Sequence, residues 1–205
     1  IVFVINAVNF LDNMDGLAAG IGTIAAVFFA IIAALQGEYF VATLAAVTAG
    51  VAAGFLVHNR PPASVFMGDA GSHFLGFLLA VLGALTTYYA PETTPTPAPV
   101  LIPLLILAVP VLDLIVVVAV RVRNGKPVHV GDHTHISHRF EQMGFSRAQS
   151  VLLIYLLVFA TGASGVYLVW LPWPGVALAL LQLAAIVVAV GILQYSRTGE
   201  VGGGT

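Results

Sequence analysis

The stretch Leu17–Leu35, LAAGIGTIAAVFFAIIAAL, carries no charged side chain and matches the ~20 apolar residues that a helix needs to cross a bilayer. Runs of the same kind recur near Phe40–Val57, His73–Tyr89, Val100–Val120, Val151–Trp170 and Val176–Tyr195, and an apolar stub at Ile1–Val8 precedes the first. Strand-like alternation is absent from these runs, and hydrocarbon cannot satisfy open backbone groups, so helices are the expected solution. The predicted fold is all-α: a polytopic membrane bundle of about six complete transmembrane helices plus the N-terminal stub. Gly162, Gly165, Pro103 and Pro110 inside the runs suit close helix packing and kinks.

The composition agrees. The 205 residues are 60% hydrophobic and 8% charged, with a mean hydropathy of +1.02, whereas a soluble domain carries about 25% charged residues. A net charge of −2 offers nothing to a nucleic acid. The absence of cysteine excludes disulfides, thiolate metal sites and cysteine nucleophiles. The opening Ile1–Ile5 has no basic region or cleavage pattern, so it reads as a spanning helix entered partway rather than a signal peptide. The terminal Gly202-Gly203-Gly204 reads as a flexible tail.

Three polar islands separate the runs: Asn6–Gly16 (NAVNFLDNMDG), His58–Ser72 (HNRPPASVFMGDAGS) and Arg121–Arg147. They define polar loops near 9–16, 58–72 and 121–147. Threading the runs back and forth puts all three on one side, together with Arg60, Arg121, Arg123, Lys126, Arg139, Arg147 and Arg197. The opposite loops, including the Pro/Thr-rich stretch 91–99, hold only Glu38 and Glu92, so the positive-inside rule makes the island side cytoplasmic. A charge deep in lipid costs roughly 2.5–3.5 kcal/mol on insertion scales, so these groups belong at an interface or in a cavity. Their one-sided gathering reads as an active site at a membrane surface. A secondary transporter would instead need polar groups near the midplane, where Asp113 and His73 are the candidates. A scaffold without catalysis is the third reading.

In the first island Asn6, Asn9, Asp12 and Asp15 recur at every third residue, a drifting ridge of oxygen-bearing side chains if the segment stays helical. Such a ridge suits a hydrated hard cation or a nucleotide, and exceeds what a helix cap needs. In the second island Pro61-Pro62 breaks any helix, and Asp69 stands between Gly68 and Gly71 at the entrance to the next span, where glycine lets a phosphate or metal approach the backbone. Phe66 is either a ring-stacking platform or an interface anchor. The third island holds His129, His133, His135 and His138 among Arg121, Arg123, Lys126 and Arg139. His133-x-His135-x-x-His138 without a fourth ligand is a weak zinc pattern, and cationic neighbours suit pyrophosphate oxygens better. Asp113, about 12 Å along a helix from Arg121, either pairs with a basic group or lines the cleft.

The first island, extended as NAVNFLDNMDGLAAG, resembles the N-x-x-N-x-x-D-G-x-D-G-L-A-x-G signature of the polyprenyl-phosphate N-acetylhexosamine-1-phosphate transferases. VFMGDAGS resembles a second signature of that family, and GDHTHISHRF resembles its histidine motif, in the same order. The resemblance implies transfer of a sugar 1-phosphate from a UDP-sugar to a polyprenyl phosphate in the plasma membrane, with Mg²⁺ (or Mn²⁺) and release of UMP. It implies Asp69 and Asp12 as metal ligands; Asp69, Asp12, Asp15, His135 and His138 as catalytic groups; and Asn9, Asn59, Phe66, Arg121, Arg123 and Arg139 as substrate-binding groups. Uracil would stack on Phe66, and His135 and His138 would meet the phosphates. The expected partners are the UDP-N-acetylhexosamine, the lipid phosphate, the membrane and a second copy in a homodimer, with no nucleic acid.

Three departures stand out: Asn13 replaces a glycine of the first signature, Ser137 replaces a histidine of the third, and His133 stands where relatives often carry arginine. An aspartate pair implicated in the family's catalysis would lie before Ile1, so residues 1–205 are expected to be one transmembrane catalytic domain forming the C-terminal portion of a longer enzyme. Gly131-Asp132 before the histidines is similar to the GlcNAc-1-phosphate branch. His138-Arg139-Phe140-Glu141 echoes the alternative, phospho-N-acetylmuramoyl-pentapeptide transferase.

Overall fold

The computed structural model describes residues 1–89, 92, 94–123, 125 and 135–196, with side chains described less completely beyond Ala185. Every regular element among them is helical: α1 (Val2–Phe10), α2 (Leu17–Leu35), α3 (Tyr39–Asn59), α4 (Gly68–Leu85), a 3₁₀ turn at Ala98–Leu101, α5 (Ile102–Ile106), α6 (Ala108–Arg123), α7 (Ile136–Gln142), α8 (Arg147–Tyr167) and α9 (Trp173–Ser196). The expected all-α membrane architecture is present. Helices α2, α3, α4 and α8 are each long and apolar enough to cross a bilayer. The bent pair built from the 3₁₀ turn, α5 and α6 makes a fifth if counted as one span, and α9 is apolar from Trp173 to Ala185.

The bent pair corrects the expected continuous span Val100–Val120. Its two arms meet at 70° across Leu107. Pro110 has no N–H to return to the carbonyl of Ile106, and its ring crowds that carbonyl, so the ladder breaks there and restarts with Val111 donating to Leu107. The first polar island is corrected too. The helix stops at Phe10 and Leu11–Gly16 form a turn, so the ridge ends at Asn9 and the two aspartates diverge. Gly16, at φ 80°, uses the left-handed backbone that admits the chain into α2.

Helix α2 is the axis of the bundle. Its small residues let neighbours approach closely, the packing mode that replaces hydrophobic drive inside lipid. A Cβ on Gly20 would lie 2.0 Å from the Tyr155 ring of α8, and one on Gly76 of α4 would lie 2.8 Å from the Ile5 Cα of α1. Phe29, Ile32, Leu79, Leu82, Ile102 and Ile106 fill the core between these helices. At one end Glu38 accepts from the Thr87 N–H at 3.0 Å, joining the α2–α3 turn to the end of α4. The other end gathers the C-termini of α1, α3 and α6 and the N-termini of α2, α4 and α8, and there the described parts of the three polar islands meet.

Candidate active site

Helix α1 carries Asn9 to the mouth of α4. The Asn9 amide donates to the Ser72 hydroxyl at 2.9 Å and to Asp69 Oδ1 at 3.2 Å. Asp69 lies in the first turn of α4, where the helix dipole favours a carboxylate. The close packing at Gly76 sets this distance between α1 and α4. Ser72 was not anticipated, although its position three residues after Asp69 puts it on the same helical face.

Asp12, in the turn after α1, faces Asp69. Burial, then the neighbouring Asp69 charge, push its carboxyl up to about 6, against the lowering effect of the Gly68 N–H that it accepts. Two carboxylates sharing one polar pocket repel, and a divalent cation between them would relieve both penalties. Among the described residues no three His, Asp or Glu side chains converge as a self-contained metal cage. Mg²⁺ does not require one, because it binds through one or two carboxylates and completes its shell with water and substrate phosphates. Asp12 and Asp69 therefore fit such an ion.

Asp15 and Asn59 sit apart from this pair and brace the loops. Asp15 accepts from the Ala63 N–H at 3.0 Å. Asn59, 3% exposed, accepts from the Gly16 N–H at 3.0 Å and donates to the Val65 carbonyl at 2.9 Å. Tyr155 adds a hydroxyl bond to the Gly16 carbonyl at 2.6 Å. The tip of the second island, with Phe66 at 74% exposed, extends from this braced base.

The third island folds back over the same end. His135 and Arg121, both predicted to meet substrate, are buried, and the ring of Phe10 lies against both. The Arg121 guanidinium is 5.5 Å from its centroid, and the His135 ring meets it edge-on at 6.0 Å. Asp113 takes the His135 ring as its partner, which settles the choice left open by the sequence. Arg123 is exposed and Arg139 half-buried. His138 bonds through Nδ1 to Glu141 within α7 at 3.1 Å, and Glu141 also accepts from Arg147 at 3.0 Å. Ser137, fully buried, bonds to Asn13. Lys126, His129, Gly131, Asp132, His133 and Arg197 lie outside the described residues. His73, considered as an intramembrane site, is exposed and its Nδ1 bonds to the Asp69 carbonyl of its own helix.

Known proteins match this chain in sequence. The family model for glycosyl transferase family 4 matches residues 1–87. A probable undecaprenyl-phosphate N-acetylglucosaminyl 1-phosphate transferase of Bacillus subtilis is 37% identical over 175 residues, covering 83% of this chain and 48% of the relative. The decaprenyl-phosphate N-acetylglucosaminephosphotransferase of Mycobacterium leprae is 37% identical, over 77% of this chain and 43% of the relative. The phospho-N-acetylmuramoyl-pentapeptide-transferase of Geobacillus thermodenitrificans is 34% identical, over 81% and 48% respectively. The chain spans about half the length of the curated relatives it matches. The matched segment 1–87 contains the whole Asn9–Asp12–Asp69 cluster, and together with the relatives matched over most of the chain it shows that this chain belongs to glycosyl transferase family 4.

Proposed function

We propose that the protein containing this chain is a Mg²⁺-dependent transferase of GlcNAc 1-phosphate from UDP-GlcNAc to a polyprenyl phosphate, working at the cytoplasmic face of the plasma membrane. The observation that carries this reading is the approach of Asp12 to Asp69 across two separate sequence motifs, with Asn9 bridging to Asp69 and Ser72. The relatives named for GlcNAc transfer support the choice of sugar. The reading with UDP-N-acetylmuramoyl-pentapeptide as donor is favoured by the match to the pentapeptide transferase.

In the reaction an oxygen of the lipid phosphate forms a bond to the sugar-bearing phosphorus. The anhydride bond to the other phosphorus breaks, and its electron pair leaves on UMP. A divalent ion held by Asp12 and Asp69 would supply positive charge to the pyrophosphate oxygens. Asn9 holds the Asp69 carboxylate in one orientation. Phe66, exposed beyond the braced loop, offers its ring face to uracil. His135, His138, Arg121, Arg123 and Arg139 give the α6–α7 end the cationic donors that phosphoryl transfer needs. The polar cluster lies at one end of the apolar helices, where a lipid phosphate and a soluble nucleotide sugar can both reach it. That placement, with the basic residues at the same end, supports a cytoplasmic orientation. A transporter has less support, because Asp113 is committed to His135.

The test is release of UMP by the membrane-embedded full-length protein given polyprenyl phosphate, with UDP-GlcNAc or UDP-N-acetylmuramoyl-pentapeptide as donor. UMP formed only with UDP-GlcNAc, and only with Mg²⁺ or Mn²⁺, is expected. Release with the pentapeptide donor alone would move the chain to the second reading. No release with either would overturn both.

A further inference from the structure

We propose that Tyr155 of α8 is a positioning residue for the divalent-cation site, its hydroxyl fixing the far end of the turn that carries Asp12. The turn 11–16 is held at both ends. At the first, the Asp12 N–H donates to the Asn9 carbonyl at 3.0 Å, and Asn13 is bonded to Phe10 and Ser137. At the second, Gly16 is gripped on both sides of its Cα. Its N–H donates to the Asn59 side chain at 3.0 Å, and its carbonyl accepts the Tyr155 hydroxyl at 2.6 Å. Asn59 lies within the segment 1–87 that holds the carboxylates, whereas Tyr155 reaches in from a helix beyond it.

The hydroxyl is not needed to satisfy the Gly16 carbonyl, which already accepts the Gly20 N–H at 2.9 Å. What it adds is position. Gly16, at φ 80°, has no side chain to restrict it, so its backbone is set by what bonds to it from outside. The Tyr155 ring is admitted by Gly20, where a Cβ would lie 2.0 Å from it, so the last glycine of the first motif has its reason here. On another side the ring borders an open apolar groove between α3 and α8, lined by Leu56, Val57, Val151 and Leu152. Packing leaves the ring open there, and the bond to Gly16 locates it. Asp12 accepts the Gly68 N–H and Asp15 the Ala63 N–H, so a shift of Gly16 is felt where the two carboxylate motifs join. Mg²⁺ demands near-ideal octahedral geometry and tolerates little such shift. The inference rests on the reading of Asp12 and Asp69 as cation ligands.

Tyr155→Phe is the informative variant, because it removes the hydroxyl and keeps the ring. The probe is Mn²⁺ without substrates, read from the free-ion EPR signal over the full-length protein in nanodiscs of zwitterionic lipid. Binding at the site is the part lost in Asp69→Asn. In Tyr155→Phe its affinity should fall about 3- to 10-fold, the worth of one neutral hydrogen bond. The Mg²⁺ concentration for half-maximal UMP release should rise by the same factor, with kcat at saturating Mg²⁺ within about 2-fold of wild type. Hydrogen exchange of the 11–17 backbone should quicken, while the thermal midpoint barely moves, since the Gly16 carbonyl keeps its bond from Gly20. Tyr167→Phe, at the exposed far end of the same helix, should match wild type in every readout. Wild-type Mn²⁺ affinity in Tyr155→Phe overturns the proposal. So does weaker binding that comes with a lower thermal midpoint and unchanged exchange at 11–17, the mark of a merely structural role. Wild-type protein with no Mn²⁺ binding sensitive to Asp69→Asn overturns the cation-ligand reading instead.

Discussion

The Ser137 hydroxyl donates to the Asn13 side-chain carbonyl at 2.7 Å, tying α7 to the turn that follows α1. Both are positions at which the motifs depart from the family's pattern, and they are in contact. Asn13 is fixed in turn by its amide, which donates to the Phe10 carbonyl at 2.9 Å. These two departures are therefore one joint feature of the loop's seating. Ser137→Ala and Asn13→Ala should each cost about 0.5–1.5 kcal/mol of stability, and the double variant little more than either. Ser137→His, entering a fully buried position, should be destabilising alone and better tolerated with Asn13→Gly. Thermal unfolding of the five variants and wild type checks this; strictly additive effects would break the link.

Asp69→Asn should abolish transfer while leaving the fold intact. The substitution keeps the size and the contact with Asn9 but removes the charge facing Asp12. Loss of one electrostatic stabiliser typically costs about 10²–10³-fold in kcat. Near-normal turnover at limiting Mg²⁺ would sink the metal-ligand assignment.

Phe66→Ala should raise the KM for the UDP-sugar and leave protein yield unchanged. Its ring is 74% exposed at the tip of a loop whose base is held by Asn59 and Asp15, so truncation removes a platform without opening the core. Steady-state kinetics decide it: an unchanged KM with reduced yield would favour a membrane anchor.

Gly76→Ala should weaken both stability and activity. The added methyl would stand 2.8 Å from the Ile5 Cα, forcing α1 away from α4 and Asn9 away from Asp69 and Ser72. Overpacking of this kind costs about 1–3 kcal/mol. Gly50→Ala on α3, where the added Cβ meets nothing within 4 Å, is the control. Equal behaviour of the two variants in thermal unfolding and turnover would refute the packing argument.

Glu141 ties stability to pH. Burial raises its carboxyl, but the hydrogen bonds from His138 and Arg147 outweigh that and hold it below the ordinary value of 4.5. A depressed acid contributes stability that is fully present above its unfolded value and fades as pH falls through the folded one. Limited proteolysis at the α7–α8 junction should therefore accelerate as pH drops below about 4.5 in wild type, and much less so in Glu141→Gln. The same acid sensitivity in both proteins would assign it elsewhere.

The helices, their membrane character and the identity of the polar islands were legible because each depends on local sequence. An apolar run of the right length has one low-energy solution in lipid, and Asp12, Asp69 and His135 announce themselves as ionisable groups in an apolar chain. The break within Val100–Val120 was half legible: Pro103 and Pro110 predicted a kink, but its 70° angle depends on how α5 packs against α8.

Tertiary structure alone decided how the polar residues divide. Asn9, Asp12, Asp69 and Ser72 converge, whereas Asp15 and Asn59 brace the loops, although Asp12 and Asp15 are three residues apart in the same turn. Spacing along a chain gives a face only while the helix continues, and α1 stops at Phe10. The pairing of Asp113 with His135 and of Asn13 with Ser137 joins residues 22 and 124 positions apart. Such bonds are set by the close approach of whole helices, through glycines such as Gly76 and Gly20, and no local pattern records them. The sequence determined which groups this protein owns; the packing of α1, α4 and α6 decided which of them face one another.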